Sequence, residues 1–512
     1  MSIDIPAGYL GGEARITSGP APELVATGYA LEIADAPLLH EGLGLADLAH
    51  VLVLAEAGII PASAAADLAR ELLQILSTPA EDFPYDPVYG DAYNSREREL
   101  QNRIGDAAGW LHTGRTRREA GRIAFRIALR RKLLELHDAV SDLSLALASA
   151  ARLHAETLWA DTTYLQPAQP STFGHYLGAF AEEATRHLDR IQAAHRWANR
   201  SPAGSGGVGG SPVLVNRTRD AAALGFDEPG RHTRDAMWSV DGLVDAVVSA
   251  TQAAATVDRL AEDLEIFASP AFGYVRLDAS LCRASVLMPQ KRNPYALAVI
   301  RAGAGVLVGR ATGLMMTQRT PSARTDNWLH AYGEVASSVD LATRLVRLGT
   351  VVVTTLEVDQ VALARTAGEH FTGAADLAES LVVDQGLDYR SAYRVVGRAV
   401  TSAVEDGGTV LQGSDLDSAA RDLLGHGLPD LPDVASITDP ATIVASRDVL
   451  GGSAPNRVHE HAERIEQLAG VALRWSRDTR QAAEAAEHAV VRRAEALAET
   501  PMIPLAALGL IG

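Results

Sequence analysis

The stretch AGRIAFRIALRRKLLELHDAVSDLSLALASAARLHAETLWA, residues 120–160, constrains the fold most. After Gly121 it contains neither glycine nor proline. Its apolar residues recur every three to four positions, the period of a helix face. One helix of about 40 residues is expected, far above the usual length of about 11–12. Similar runs cover 174–198, 232–267, 294–318 and 333–365. Long helices in succession bury their apolar stripes by packing side by side, so a mainly all-α chain with an extended central bundle follows. Many Ala and Leu positions fall on more than one helix face, which implies burial against other copies of the chain as well. The divisions expected are an N-terminal domain 1–115, a bundle 116–365, a small helical domain 366–475, and a helix with a tail over 476–512.

Composition excludes several classes. The chain has 512 residues and a formal net charge of -18. Such a field repels nucleic acid and anionic membrane, so neither is an expected partner, and an anionic substrate needs local positive charge. The single cysteine, Cys282, allows no internal disulfide, fits a reducing cytoplasm, and reads as a small buried residue rather than a catalytic thiol. The N-terminal sequence lacks the pattern of a signal peptide, and the apolar IPLAALGLIG at the C-terminus is too short to cross a bilayer. No HExxH or EF-hand pattern occurs, so no metal is expected.

Chemistry is sought in the breaker-rich segments between the helices. Of 46 basic residues only Lys132 and Lys291 are lysine. Lys291 sits in SVLMPQKRNP (285–294) with Ser285 and Asn293. A compact ammonium holds a carboxylate where the planar fork of Arg would not fit. A serine beside such a cation in a dry site can act as a base. LHTGRTRRE (111–119) gathers Thr116, Arg117 and Arg118 at the start of the longest helix, where free N–H groups and guanidinium groups suit an anion. TTYLQPAQP (162–170) offers Thr163, Tyr164 and Gln166. The glycine-rich AGSGGVGGSP (203–212) lacks the phosphate-loop pattern and reads as a tight turn beside a site.

Taken together, LHTGRTR, TTYLQPAQPSTFGH, GSGGVGGSP and SVLMPQKRNP, in that order between long helices, resemble the fumarase/aspartase superfamily. Further stretches, among them FASPAFGYVRLDASLC (267–282) and GGSAPNRV (451–458), are similar to its argininosuccinate lyase branch. The resemblance runs from about residue 14 to 470. It implies a mainly helical three-part subunit and a homotetramer whose active sites are each built from three subunits. It implies β-elimination from a succinyl-amine to fumarate without a cofactor. It also implies that Ser285 is the base, that Lys291 and Asn293 grip the succinyl carboxylate and developing dianion, and that Thr116, Arg117 and Thr163 hold substrate.

The departures lie on the amine side. The family's Thr-His-Leu-Gln is Thr163-Tyr164-Leu165-Gln166 here, and the Glu that pairs with that His is Ala298. An Asn of the family is Arg118, a His is Tyr93, and Arg324 stands where a Tyr belongs. Added cations disfavour a guanidinium leaving group and favour an amine bearing its own carboxylate. The expected activity is therefore that of a carbon–nitrogen lyase acting on an N-substituted aspartate other than argininosuccinate, with Tyr164 able to donate a proton to the amine. The alternatives are argininosuccinate lyase itself and a non-catalytic scaffold that keeps the fold.

Overall fold

The computed structural model describes Arg15 and residues 18–499, apart from 215, 322, 326, 327 and 431. The expectations for the extreme N-terminal sequence and for the apolar tail lie outside the described residues. The longer helices before the bundle are α1 Ala36–Glu56, α2 Ala62–Ser77 and α3 Ala92–Ile104. The bundle consists of α4 Arg117–Leu153, α5 Phe173–Ala198, α6 Asp241–Phe267, α7 Tyr295–Met315 and α8 Ala331–Thr354. Between α4 and α5 stands a hairpin of β1 Leu158–Thr163 and β2 Gln166–Thr172. Between α6 and α7 a two-residue strand pair, β3 Arg283–Ala284 and β4 Arg292–Asn293, closes the base of the SVLMPQK loop.

Three expected helices are shorter than their sequence runs. The 120–160 run leaves the helix after Leu153, because Leu158–Thr163 pairs antiparallel with a segment whose Pro167 and Pro170 cannot continue a helix. The 232–267 run splits into Thr233–Trp238 and α6, where Ser239 is extended. The 333–365 run stops at Thr354, and the β-branched stretch that follows pairs Glu357–Val358 with Val275–Arg276.

One continuous core joins α1 and α2 to the bundle and to a last helix, Pro455–Glu499, of 45 residues. A separate small core lies under Leu377, Leu381, Val395 and Leu416. The divisions expected at 115 and 475 therefore do not coincide with breaks in packing: residues on both sides of 115 share one core, and 475 falls inside the last helix.

The central helix α4 buries arginines as well as apolar side chains. Arg122, Arg126 and Arg130, spaced four apart, are 1%, 3% and 1% exposed. Each guanidinium lies over an aromatic ring, Arg122 over Trp328 at 3.6 Å, Arg126 over Trp197 at 3.9 Å and Arg130 over Phe226 at 4.8 Å from the centroid. Each also donates to carbonyls at chain turns: Arg122 to Met237 O (3.1 Å), Arg126 to Trp197 O (2.6 Å), and Arg130 to Leu224 O (2.9 Å). Arg130 is paired with Glu487 of the last helix at 2.6 Å. Planar stacking with fork donation is chemistry that Lys lacks, which accounts for arginine at these three positions. Burial pulls the Arg126 guanidinium down to about 10, and neighbouring Arg122 adds to the effect.

Arg126→Ala would remove a donor from the carbonyls of Trp197 and Ala236 and open a void beside the indole. The expected loss is about 2–4 kcal/mol of stability, read from urea unfolding with the slope unchanged.

Candidate active site

The candidate residues fall into two groups at opposite ends of α4. The first is at its N-terminus. Thr116 caps the helix: its hydroxyl oxygen accepts the Glu119 N–H (3.3 Å), and the hydroxyl donates to Gly206 O (3.3 Å). Thr-x-x-Glu is the sequence signature of a capping box, but the Glu119 carboxylate does not return to its own cap. It is fully buried and accepts the N–H groups of Gly204 (2.8 Å) and Gly206 (2.6 Å), tying the glycine-rich loop to α4. Burial pushes this carboxyl up to about 7, against the lowering effect of the two glycine N–H groups and Arg115. Glu119 was not among the residues singled out from sequence, although its place three residues after Thr116 was a usable signal.

Arg117 and Arg118 each carry a partner from the N-terminal region. Arg117 is ion-paired with Asp91, which also caps α3. Arg118 forms a two-pronged pair with Glu32 at 2.7 and 3.2 Å. These groups line a cleft with Asp35, Tyr93, Trp328 and Tyr332. The cleft thus holds three carboxylates against two guanidinium groups. Arg118, read from sequence as an added cation, is met here by Glu32. Arg324 is exposed, four residues before Trp328. Tyr93 is buried and receives a hydrogen bond from Arg115 at 3.3 Å, while Arg115 is ion-paired with buried Asp47.

The second group is at the other end. The hairpin turns on Tyr164 and Leu165 alone, since Thr163 pairs with Gln166. Both turn residues have positive φ, 55° and 59°. A two-residue turn of this hand normally uses Asn or Gly, so the backbone here carries strain of about 1–2 kcal/mol per residue. Thr163 and Gln166 are exposed, and Tyr164 is 99% exposed. At the same end, Trp159 of β1 packs on Phe267, the last residue of α6, and Arg301 near the start of α7 meets Glu265 at 3.1 Å. The SVLMPQK loop therefore leaves the bundle at the same end as the hairpin. The Ser285 hydroxyl oxygen accepts the Met288 N–H at 3.0 Å, and the Asn293 amide donates to Arg283 O at 2.9 Å, which fixes both ends of the loop. Lys291 is exposed, and Val286 and Leu287 are 108% and 86% exposed.

A 37-residue helix is about 55 Å long, so one chain does not bring Thr116, Arg117 and Arg118 to Thr163, Tyr164, Ser285, Lys291 and Asn293. In particular, Arg118 does not lie beside Tyr164 within one chain.

A long-helix bundle with three loops of this kind defines a lyase of the fumarase/aspartase superfamily. A family model described as lyase matches residues 44–309, and one described as argininosuccinate lyase C-terminal matches 371–445. The chain is 30% identical to the argininosuccinate lyase of Methanoculleus marisnigri, over 87% of this chain and 91% of that one. It is 32% identical to argininosuccinate lyase 1 of Mesorhizobium japonicum, over 87% and 95%. A solved EDDS lyase variant with bound fumarate superposes with a TM-score of 0.85 at 25% identity, over 97% of this chain and 99% of the other. EDDS lyase in complex with formate gives 0.85 at 26%, over 94% and 97%. The chain belongs to the argininosuccinate lyase family. It is a carbon–nitrogen lyase that releases fumarate.

Asp35 offers a test of the cleft's electrostatics. Burial pushes its carboxyl up to about 6; the Gly333 N–H opposes this and the Glu32 charge adds to it. An acid raised on folding contributes stability below its unfolded pKa near 3.8 that is lost as pH rises through about 6. Asp35→Asn keeps an acceptor for Gly333 and cannot ionise. It is expected to exceed the wild type in stability by about 2–3 kcal/mol at pH 8 and to match it near pH 4, as measured by unfolding at both pH values.

Proposed function

We propose that the protein eliminates an amine other than arginine from an N-substituted aspartate, at sites each completed by more than one copy of the chain. Ser285 takes the proton from the carbon next to the carboxylate. The electron pair left behind forms the carbon–carbon double bond as the carbon–nitrogen bond breaks. Lys291 and Asn293 hold the carboxylate whose charge grows in the intermediate, the place where fixed donors contribute most. Thr116, Arg117 and Thr163 hold the succinyl half. Tyr164 and Gln166 from the hairpin tip, with Arg118 and Arg324, face the amine, and the Tyr164 phenol returns a proton to the leaving nitrogen. A small-molecule amino acid carrying the succinyl group is the substrate.

The observation that carries this reading is the asymmetry of the motifs. Ser285, Lys291 and Asn293 stand intact in a chain where 44 of 46 basic residues are Arg, whereas the His–Glu pair is replaced as a unit by Tyr164 and Ala298. A scaffold under no chemical demand has no need of Lys rather than Arg at 291. The charge balance of the cleft shifts the expected amine. With Arg118 already paired to Glu32, the leaving group is not required to bring a carboxylate to it.

Assembly into a homotetramer is supported by α7. This helix leaves Val299, Val306, Val308 and Met315 exposed, and nothing lies within 4 Å of where a Cβ would sit on Gly305, Gly309 or Gly313. An apolar helix with a smooth glycine face suits close packing against helices of other copies. That packing would bring the hairpin and SVLMPQK loops of one chain to the α4 N-terminus of another. The proposed compartment is the cytoplasm.

Mass spectrometry of the protein with fumarate and a panel of amines, run in the addition direction, tests the reaction. An adduct with an amine other than arginine is expected; an adduct with arginine alone would restore argininosuccinate as the substrate. Ser285→Ala is expected to lower turnover by about 10²–10⁴-fold without changing the molar mass in solution. Lys291→Arg should cost at least about tenfold in kcat/KM, and unchanged kinetics there would remove the role assigned to the ammonium. Gly309→Leu should shift light-scattering mass toward smaller species.

A further inference from the structure

The glycine-rich loop, read from sequence as a tight turn, has a one-sided hydrogen-bonding pattern. Three successive carbonyls accept from the helices behind them: Gly206 O from the Thr116 hydroxyl (3.3 Å), Gly207 O from the Trp238 indole (3.0 Å) and Val208 O from the Thr233 hydroxyl (2.8 Å). No peptide bond among the described residues is cis. In a planar trans peptide the N–H of the next residue points opposite to the carbonyl. The N–H groups of Gly207, Val208 and Gly209 therefore point away from those helices. All three residues are exposed, and their N–H groups have no acceptor among the described residues.

The inner side of the loop is held rigidly. Glu119 takes the N–H groups of Gly204 and Gly206, and Arg217 donates to Ala203 O (2.8 Å) and to Gly230 O (2.7 Å). A Cβ on Gly207 or Gly209 would meet nothing within 4 Å, so crowding inside the chain does not demand glycine there. A bare backbone is instead suited to close approach by a ligand.

We propose that the N–H groups of Gly207, Val208 and Gly209 bind a carboxylate of the succinyl group, and that Glu119 is the positioning residue that holds them in place. The proposal rests on the reading above in which Thr116 and Arg117 hold the succinyl half. The Thr116 hydroxyl joins the loop to that turn of α4, and the adjacent guanidinium supplies charge while the three N–H groups supply direction. In a chain of net charge -18 such local donors are what a dianion needs.

Calorimetric titration of fumarate into the assembled protein tests this, with melting temperature as the control. Val208→Pro deletes one outward N–H, leaves Glu119 untouched, and replaces a residue whose φ is not positive. It is expected to weaken fumarate binding about tenfold with melting unchanged. Glu119→Gln, which can accept only one of the two glycine N–H groups as a carboxylate would, is expected to weaken fumarate binding to a similar degree. Fumarate binding by Val208→Pro within about twofold of wild type would overturn the proposal. A Glu119→Gln protein that melts lower but binds fumarate normally would overturn the positioning role. A wild type that does not bind fumarate at all would sink the proposed function, and this inference with it.

Discussion

The three arginines buried along α4 are what the rest of the structure hangs on. Burying a guanidinium is costly unless its donors are met and its face is covered. Here rings cover the faces, and acceptors on other segments, mostly carbonyls at turns and element ends, take two of the three nitrogens of each guanidinium. The ends of α5 and of the 233–238 helix, the 224 turn and the last helix are thereby tied to one side of a single helix. The segments so fixed are those around the glycine-rich loop and the α4 N-terminus, so this end of the molecule is built as a rigid platform.

The opposite end has another character. The hairpin tip and the SVLMPQK loop project from the bundle, with large apolar side chains in solvent and two non-glycine residues at positive φ. Strain and exposed apolar surface at a loop tip are expected where the loop completes its packing elsewhere. A platform at one end of a helix about 55 Å long and projecting arms at the other make sense when the arms of one copy reach the platform of another.

The long helices were legible in the sequence because an uninterrupted apolar period over dozens of residues has few other solutions. The motif loops were legible because each lies between breakers. What the sequence did not reveal depends on partners distant along the chain. Leu158–Thr163 continues a helical-looking run, and only pairing with Gln166–Thr172 makes it a strand. Arg118 read as an added cation because Glu32 lies 86 positions away. Glu119 read as part of a helix start, and its hold on Gly204 and Gly206 crosses 85 and 87 positions. The Ala-, Glu- and Arg-rich stretch after 475 read as a separate helix with a tail because its composition changes there, whereas it continues the helix from Pro455, and Val490, Ala494 and Leu497 bury into the main core.

The central claim is that each catalytic site combines the α4 N-terminus of one copy with the projecting loops of others. Mixing tests it most directly. One chain carries Arg117→Ala and the other Lys291→Ala, and each alone is expected to be inactive with the amine that the adduct screen identifies. Assemblies containing both chains, verified by native mass spectrometry, are predicted to regain fumarate turnover, because some sites then unite an intact platform with intact loops. Mixed assemblies that form and remain as inactive as either variant would contradict the account.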